Sequence, residues 1–287
     1  MKFNFKNNTD LFRLLFCFFT IFIIYLFFIV IEFDSFKKMF NKDINYKFYT
    51  KNTSFKYVSK KIDNEKIKEI DTTIKDENIN KKEYNPIIYI YNTHETEKYK
   101  NEFKSDYSYQ PDVKLASYIL KDYLNDYNID SYVETKSTVE YIRKNNLSYP
   151  KTYEASRKYL KAAKKKYDFK IVIDLHRDSV STVLKKDNKR YAKIMFVLGM
   201  DHKNYKKNQK FTESLNKYLE KKCSGISRGI YKREDVVFNQ DLSDNAILIE
   251  VGGVDNTLSE INNTLYVLAY AIKEYVIEKG YLWLMKK

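Results

Sequence analysis

The chain has 287 residues, 44% of them hydrophobic, which is enough for one sizeable domain core plus an appendage. Lys and Arg number 52 against 38 Asp and Glu, and the net charge of +14 suits nucleic acid, anionic lipid or an acidic polymer without choosing among them. Cys17 sits in an apolar run and Cys223 in a polar stretch, which excludes a disulfide framework as the organising device. The positive excess is scattered lysine in Lys-, Asn-, Ile- and Tyr-rich sequence, so compositional bias accounts for it as well as selection for a ligand does.

Residues 1–10 form a short polar tail, and residues 11–33 read as a transmembrane helix. Residues 14–31, LLFCFFTIFIIYLFFIVI, carry no charge, with only Arg13 and Glu32 near the ends. A cleaved signal would have a shorter apolar centre and small residues at its exit, whereas Phe and Ile here run straight into Glu32, so an uncleaved signal-anchor is expected. Lys2, Lys6 and Arg13 before the span balance Lys37, Lys38 and Lys42 after it, so flanking charge gives no orientation. Residues 34–85 are rich in Lys, Asp, Asn and Glu without an apolar period, and read as a tether.

Regular structure is expected from residue 86 to residue 287. Residues 87–91, IIYIY, form a β-rich run that breaks at Asn92-Thr93-His94. Val113, Ala116, Ile119, Leu120, Tyr123 and Leu124 recur at helical spacing behind Asp112. Further strands are expected at 129–134, 169–175, 193–198 and 246–251, and further helices at 153–166, 209–221 and 259–278. Such alternation predicts an α/β fold, a mostly parallel sheet flanked by helices on both faces.

Three strand ends carry chemistry. The first strand runs out at His94, the strand at 169–175 at His176, and the strand at 246–251 holds Glu250 just before Gly252-Gly253. In an open parallel sheet, residues far apart in sequence converge outside the carboxyl ends of the strands. His94 and Glu97, three apart, can place an imidazole and a carboxylate on one side of a turn; with His176 they make a two-histidine, one-glutamate set with an open position for water, a catalytic zinc arrangement. Glu250 lies inside the apolar run Ala-Ile-Leu-Ile-Glu-Val, where an acid is costly to bury without a purpose, and suits the role of proton carrier.

The segments Tyr91-Asn92-Thr93-His94-Glu95-Thr96-Glu97, Asp174-Leu175-His176-Arg177-Asp178, Ser227-Arg228-Gly229-Ile230 and, above all, residues 239–253, NQDLSDNAILIEVGG, resemble the stage II sporulation protein P family. The resemblance covers residue 86 onward, and an N-terminal anchor with a variable linker fits that family's layout. It implies a zinc-dependent peptidoglycan hydrolase, related in fold to the N-acetylmuramoyl-L-alanine amidases and also credited with stem-peptide endopeptidase activity. The resemblance further implies action during forespore engulfment, in complex with stage II sporulation proteins D and M, on the extracytoplasmic side of the cell membrane. It places the metal histidines on His94 and His176 and the catalytic glutamate on Glu250. Many amidases of the wider fold take the third ligand from the start of the following helix, where this chain offers Gln110, Pro111 and Asp112. Glu97 matches the sporulation subfamily's His-x-x-Glu motif and is the expected ligand, with Asp112 and Glu95 as alternatives. Arg177, Arg228 and Arg233 are candidates to receive stem-peptide carboxylates bidentately, and equally candidates for structural ion pairs.

Other readings fail on particular residues. His176-Arg177-Asp178 matches a kinase catalytic loop, but Val183 stands where that loop needs Asn. The first glycine is Gly199, so no Gly-rich phosphate loop opens the domain. His202, in a polar segment, is expected to face solvent and is given no role. A non-catalytic wall-binding or membrane scaffold is the alternative class, since 27 tyrosines and excess charge suit carbohydrate stacking and an acidic surface. Nucleic acid is disfavoured as a partner of an exported, anchored domain.

Overall fold

The strands form where short β-rich runs can be buried on both sides. The computed structural model describes residues 84–101 and 110–281, all within the unit Asn78–Lys287. The strands are β1 (Ile88–Tyr91), β2 (Ser131–Val133), β3 (Ile171–Asp178), β4 (Val183–Lys186), β5 (Lys189–Ala192), β6 (Ile194–Gly199), β7 (Ser227–Arg233) and β8 (Ala246–Gly253). The helices are α1 (Val113–Asp126), α2 (Thr138–Lys144), α3 (Thr152–Lys164), α4 (Tyr205–Lys222) and α5 (Leu258–Glu278). The expected membrane span at 11–33, the tail before it and the linker as far as residue 83 lie outside the described residues. Among the described residues no helix is long and apolar enough to cross a membrane. Tyr84 is already docked, donating from its hydroxyl to the Ser131 carbonyl at 2.8 Å.

Six strands form one sheet in the order β2-β1-β3-β8-β6-β7, and β4 and β5 pair as a separate hairpin. Successive side chains in a strand point to opposite faces. On one face Ile88, Ile90, Ile171, Ile173, Ile247 and Ile249 pack with α1, α4 and α5. On the other, Tyr89, Tyr91, Val172 and Ala246 pack with Leu160 of α3. Helices therefore cover both faces, as the alternation predicted.

The sheet is mixed rather than mostly parallel. β2, β1, β3 and β8 run parallel, but β6 pairs antiparallel with β8, and β7 follows β6. The cause lies in the connection after β3. A parallel return needs a crossover, usually a helix, whereas here the β4–β5 hairpin fills the gap and feeds the chain back in the opposite sense. The sequence conceals this hairpin because its two-residue turn is Asp187-Asn188, at φ 50° and 57°, with no glycine to announce the type I′ geometry. It likewise conceals β7, an edge strand of sequence SRGIYKR with no apolar alternation, and the seven-residue α2.

The turn from β8 into α5 fixes the strand that carries Glu250. Gly253 approaches the Val180 carbonyl so closely that a Cβ would collide with it, and Gly252 has φ +67°. Asn256 Oδ1 accepts from Gly253 N at 2.8 Å, and Asn256 Nδ2 donates to Glu260 Oε2 at 2.9 Å. Glu260 completes a capping box with Thr257 and accepts from Arg190 Nε on the hairpin at 2.7 Å. Burial opposes the charge of Glu260, but the bonds from Asn256 and Arg190 hold its pKa below the ordinary glutamate value. Glu260→Ala is therefore expected to lower stability by about 1–3 kcal/mol, read by urea unfolding. A depressed pKa stabilises the fold above the ordinary glutamate range, and the contribution is lost as pH falls through the folded-state value, so the gap between wild type and variant should close in acid.

Candidate active site and metal centre

The site is assembled at the carboxyl ends of β1, β3 and β8, three consecutive parallel strands. The register sets Tyr91 beside Asp174 and His176 beside Glu250. Asp174, His176 and Glu250 share the face with Val172 and Ala246, so they lie under α3. After β1 the chain is pinned before it turns. Asn92 Nδ2 donates to the Leu175 carbonyl at 2.6 Å, and Thr93 donates from N and Oγ1 to Asp174 at 2.9 and 2.6 Å. A single turn follows, closed by Glu97 N donating to the His94 carbonyl at 3.0 Å. The spacing of three thus does what was expected of it, setting His94 Nδ1 3.3 Å from Glu97 Oε1.

Glu97 then reaches across to β3. Its Oε2 accepts from Arg177 N at 2.9 Å and lies 3.5 Å from His176 Nδ1. One donor atom from each of His94, Glu97 and His176 can be chosen so that all lie within 4.8 Å of one another. Zinc with ligands at about 2.0–2.1 Å in a tetrahedron sets neighbouring donors about 3.3 Å apart; each histidine lies near that distance from one of the two Glu97 oxygens, His94 from Oε1 and His176 from Oε2. The donor chemistry also fits, two imidazoles and one carboxylate with room for a fourth ligand.

The electrostatics agree. Burial opposes the charge on Glu97, yet contacts with His176 and His94 and the Arg177 amide outweigh it and hold the carboxyl at about 2. Burial likewise opposes a charge on His176, but Asp174 and Glu97 push its pKa well above the ordinary value. Glu250 is left without such compensation. Burial, reinforced by the negative charges of Glu97, Asp178 and Asp174 and eased only by His176, raises it to about 7. Its Oε2 is buried with no hydrogen-bond partner among the described residues. Aromatic rings wall the cleft. Tyr149 stacks on His94 with centroids 5.1 Å apart, and Tyr153 meets it edge-on at 5.4 Å and packs on Phe238 at 5.6 Å.

The alternative third ligands are occupied elsewhere. Asp112 caps α1, accepting from Leu115 N at 2.8 Å. Glu95 is bonded to the N-terminus of α2, accepting from Val139 N at 3.0 Å and from the hydroxyl of Ser137, the residue that caps that helix. Of the three arginines, Arg177 donates from Nε to the Lys98 carbonyl at 3.0 Å, Arg228 pairs with Asp178 at 2.6 Å, and Arg233 pairs with Asp235 at 3.0 Å. All three are thus held within the protein, Arg177 and Arg228 beside the end of β3. His202 does not face solvent as expected: both its ring nitrogens are buried, without a hydrogen-bond partner among the described residues. The chain turns it inward because the strand before it ends against the 236–240 loop, where Asp201 N donates to the Val236 carbonyl at 3.1 Å. Asp174, Thr93 and Tyr153 escaped the sequence reading. The spacing of Asp174 and His176 was the one available signal, since residues two apart on a strand share a face.

A family model described as stage II sporulation protein P matches residues 28–273. The stage II sporulation protein P of Bacillus subtilis (strain 168) is 33% identical over 202 residues, covering 66% of this chain and 50% of that protein. The chain therefore spans about half the length of the curated relative it matches. Among solved structures, the CwlD amidase from Clostridioides difficile, determined in complex with the GerS lipoprotein, aligns with a TM-score of 0.46 and 13% identity over 66% of this chain and 98% of that one. The N-acetylmuramoyl-L-alanine amidase AmiC2 of Nostoc punctiforme aligns with a TM-score of 0.40 and 11% identity, over 67% and 97%. Matched over most of its length by the family model, with its strand-end histidines and glutamates gathered into one cleft, the chain belongs to the stage II sporulation protein P family.

Proposed function

We propose that this chain is a zinc-dependent peptidoglycan hydrolase that cleaves the amide between the lactyl group of N-acetylmuramic acid and L-alanine, with endopeptidase action on stem peptides as a further activity. The observation that carries the reading is the pairing of a His94–Glu97–His176 donor cluster with a half-buried Glu250 on the next strand, whose Oε2 is buried without a hydrogen-bond partner among the described residues. Zinc held by the cluster would supply a Lewis acid that polarises the amide carbonyl and makes water nucleophilic near neutral pH. Glu250 would take the proton from the attacking water and deliver it to the leaving nitrogen. Burial disfavours the charge on Glu250, and that environment suits a group that must hold a proton between the two halves of the transfer. Glu97 stays a carboxylate and is better suited to holding a cation than to moving a proton.

The cellular setting belongs to the same proposal. Residues 11–33 would anchor the protein, residues 34–85 would tether the domain on the extracytoplasmic side, and stage II sporulation proteins D and M would be its partners in wall remodelling during engulfment. The support is the uncharged run at residues 14–31 and the family to which the chain belongs. The full chain should stay with the membrane fraction through alkaline carbonate extraction, and a variant starting at residue 34 should not; full release of the intact chain would refute the anchor.

The purified protein should bind about one zinc per chain, measured by metal analysis after dialysis. Glu97→Ala should weaken binding by at least about tenfold, whereas Asp112→Ala, which removes the α1 cap, and Glu95→Ala, which removes a bond to the α2 N-terminus, should keep the metal and lower stability by about 1 kcal/mol. The opposite pattern would move the third ligand.

Glu250→Gln should retain zinc and the fold and lose about 10²–10⁴-fold in turnover, read by release of stem peptides from peptidoglycan with product analysis. Full activity in that variant would overturn the assignment, and a zinc-loaded wild type that releases nothing would favour a wall-binding scaffold.

A further inference from the structure

Asp174 is a carboxylate with 1% of its surface exposed, two residues before His176 and on the same face of β3. Burying such a group demands partners, and it has them in an ordered series. Its Oδ2 accepts from Thr93 Oγ1 at 2.6 Å and its Oδ1 from Thr93 N at 2.9 Å. Thr93 Oγ1 in turn lies 2.9 Å from Ser156 Oγ on α3, and Ser156 Oγ accepts from Asn239 Nδ2 at 3.1 Å. The two ends of the series have a fixed sense, the Asn239 amide donating to Ser156 and Thr93 Oγ1 donating to the carboxylate, while the Ser156 hydroxyl between them lies within reach of both Thr93 Oγ1 and the Tyr153 carbonyl at 3.2 Å. Asn239 also donates to the Tyr153 carbonyl at 3.0 Å and adopts a left-handed backbone at φ 58°, which asparagine tolerates better than most residues.

The far end of this series is the imidazole. Asp174 Oδ1 lies 2.9 Å from His176 Nε2, an electrostatic contact rather than a hydrogen bond, because the N–H points off the line to that oxygen. The opposite ring nitrogen, Nδ1, faces Glu97 Oε2. A ring with a carboxylate at one nitrogen and the candidate metal cluster at the other has its two nitrogens assigned by their neighbours. We infer that Asp174 is a positioning residue for the metal centre: it retains the proton on His176 Nε2 so that Nδ1 is the atom presented to the ion, and Asn239, Ser156 and Thr93 hold Asp174 in place. The inference rests on the metal-centre reading of the same cluster and goes beyond it by naming the ligand atom and the residues that orient it. It also gives a task to Asn239, the first residue of the segment on which the family resemblance chiefly rested.

The test uses the full chain with isotopically labelled histidine and NMR-active cadmium in place of zinc. One-bond cadmium–nitrogen coupling is expected on Nδ1 of His176, with a slowly exchanging proton on Nε2; coupling on Nε2 would overturn the inference. In parallel, Asp174→Asn should keep its circular dichroism spectrum and cooperative unfolding and lose about 10–100-fold in zinc affinity, measured by competition with a chromophoric chelator. Affinity within twofold of wild type would overturn the role of Asp174 while leaving the metal centre standing. A wild-type chain that binds no ion would instead overturn the metal centre itself. Should Asp174→Asn fail to fold, the coupling pattern in wild type still decides the matter.

Discussion

Three carboxylates, those of Glu97, Asp174 and Glu250, are packed around one buried imidazole at the end of a parallel strand trio, and the rest of the cleft is arranged around that charge problem. Each buried carboxylate needs a partner or a proton. Asp174 takes its partners from Thr93, and Glu97 takes the Arg177 amide and two histidines. Glu250 is left with neither, and it responds by rising to about 7. The same crowding makes the cluster receptive to a divalent cation, because such an ion would neutralise Glu97 and relieve its repulsion of Glu250 at once.

That arrangement depends on which strands are neighbours. β1, β3 and β8 are adjacent and parallel, so their carboxyl ends open on one side. The two strands that run opposite to these contribute differently. β6 and β7 close the edge beyond β8 and present the loop that returns to it, where Gln240 donates from Nε2 to the Val197 carbonyl at 2.8 Å and accepts from Gly199 N at 3.0 Å. Asp241 in the same loop takes Arg157 of α3 in a two-pronged pair at 2.7 and 2.6 Å. The loop therefore bridges β6 and the helix that roofs the cleft, and the direction of β6 brings it there.

The sequence was legible where one residue's chemistry conflicts with its surroundings. Glu250 in an apolar strand and two of three histidines at strand ends each stand out without any structure, and His94 with Glu97 needs only the geometry of one turn. Strands buried on both faces were legible too, as runs such as IIYIY and AILIEV. What stayed hidden was strand direction, because nothing in residues 194–199 encodes the sense in which β6 enters the sheet; the hairpin before it does, and its Asp-Asn turn lacks the usual glycine. The choice of Glu97 over Glu95 and Asp112 was open for a related reason. All three are acids near helix or turn starts, and only the packing shows two of them bonded to helix N-termini.

Residues 239–253 draw these strands of argument together. Read as a sequence, NQDLSDNAILIEVGG ends on the candidate proton carrier, and its polar first half looks like a mere approach to it. In the folded chain that half does four separate jobs: Asn239 reaches Ser156 and Tyr153, Gln240 the edge of β6, Asp241 Arg157, and Asn245 the Lys170 carbonyl at 2.9 Å. Every one of these contacts ties the entrance of β8 to an element that shapes the cleft. A segment in which each polar residue has a different partner tolerates few substitutions, since losing one partner leaves a buried group unpaired. Such a segment is distinctive in sequence because its residues are chosen by partners far away in the chain, and those partners meet only when the candidate metal ligands and Glu250 are brought together.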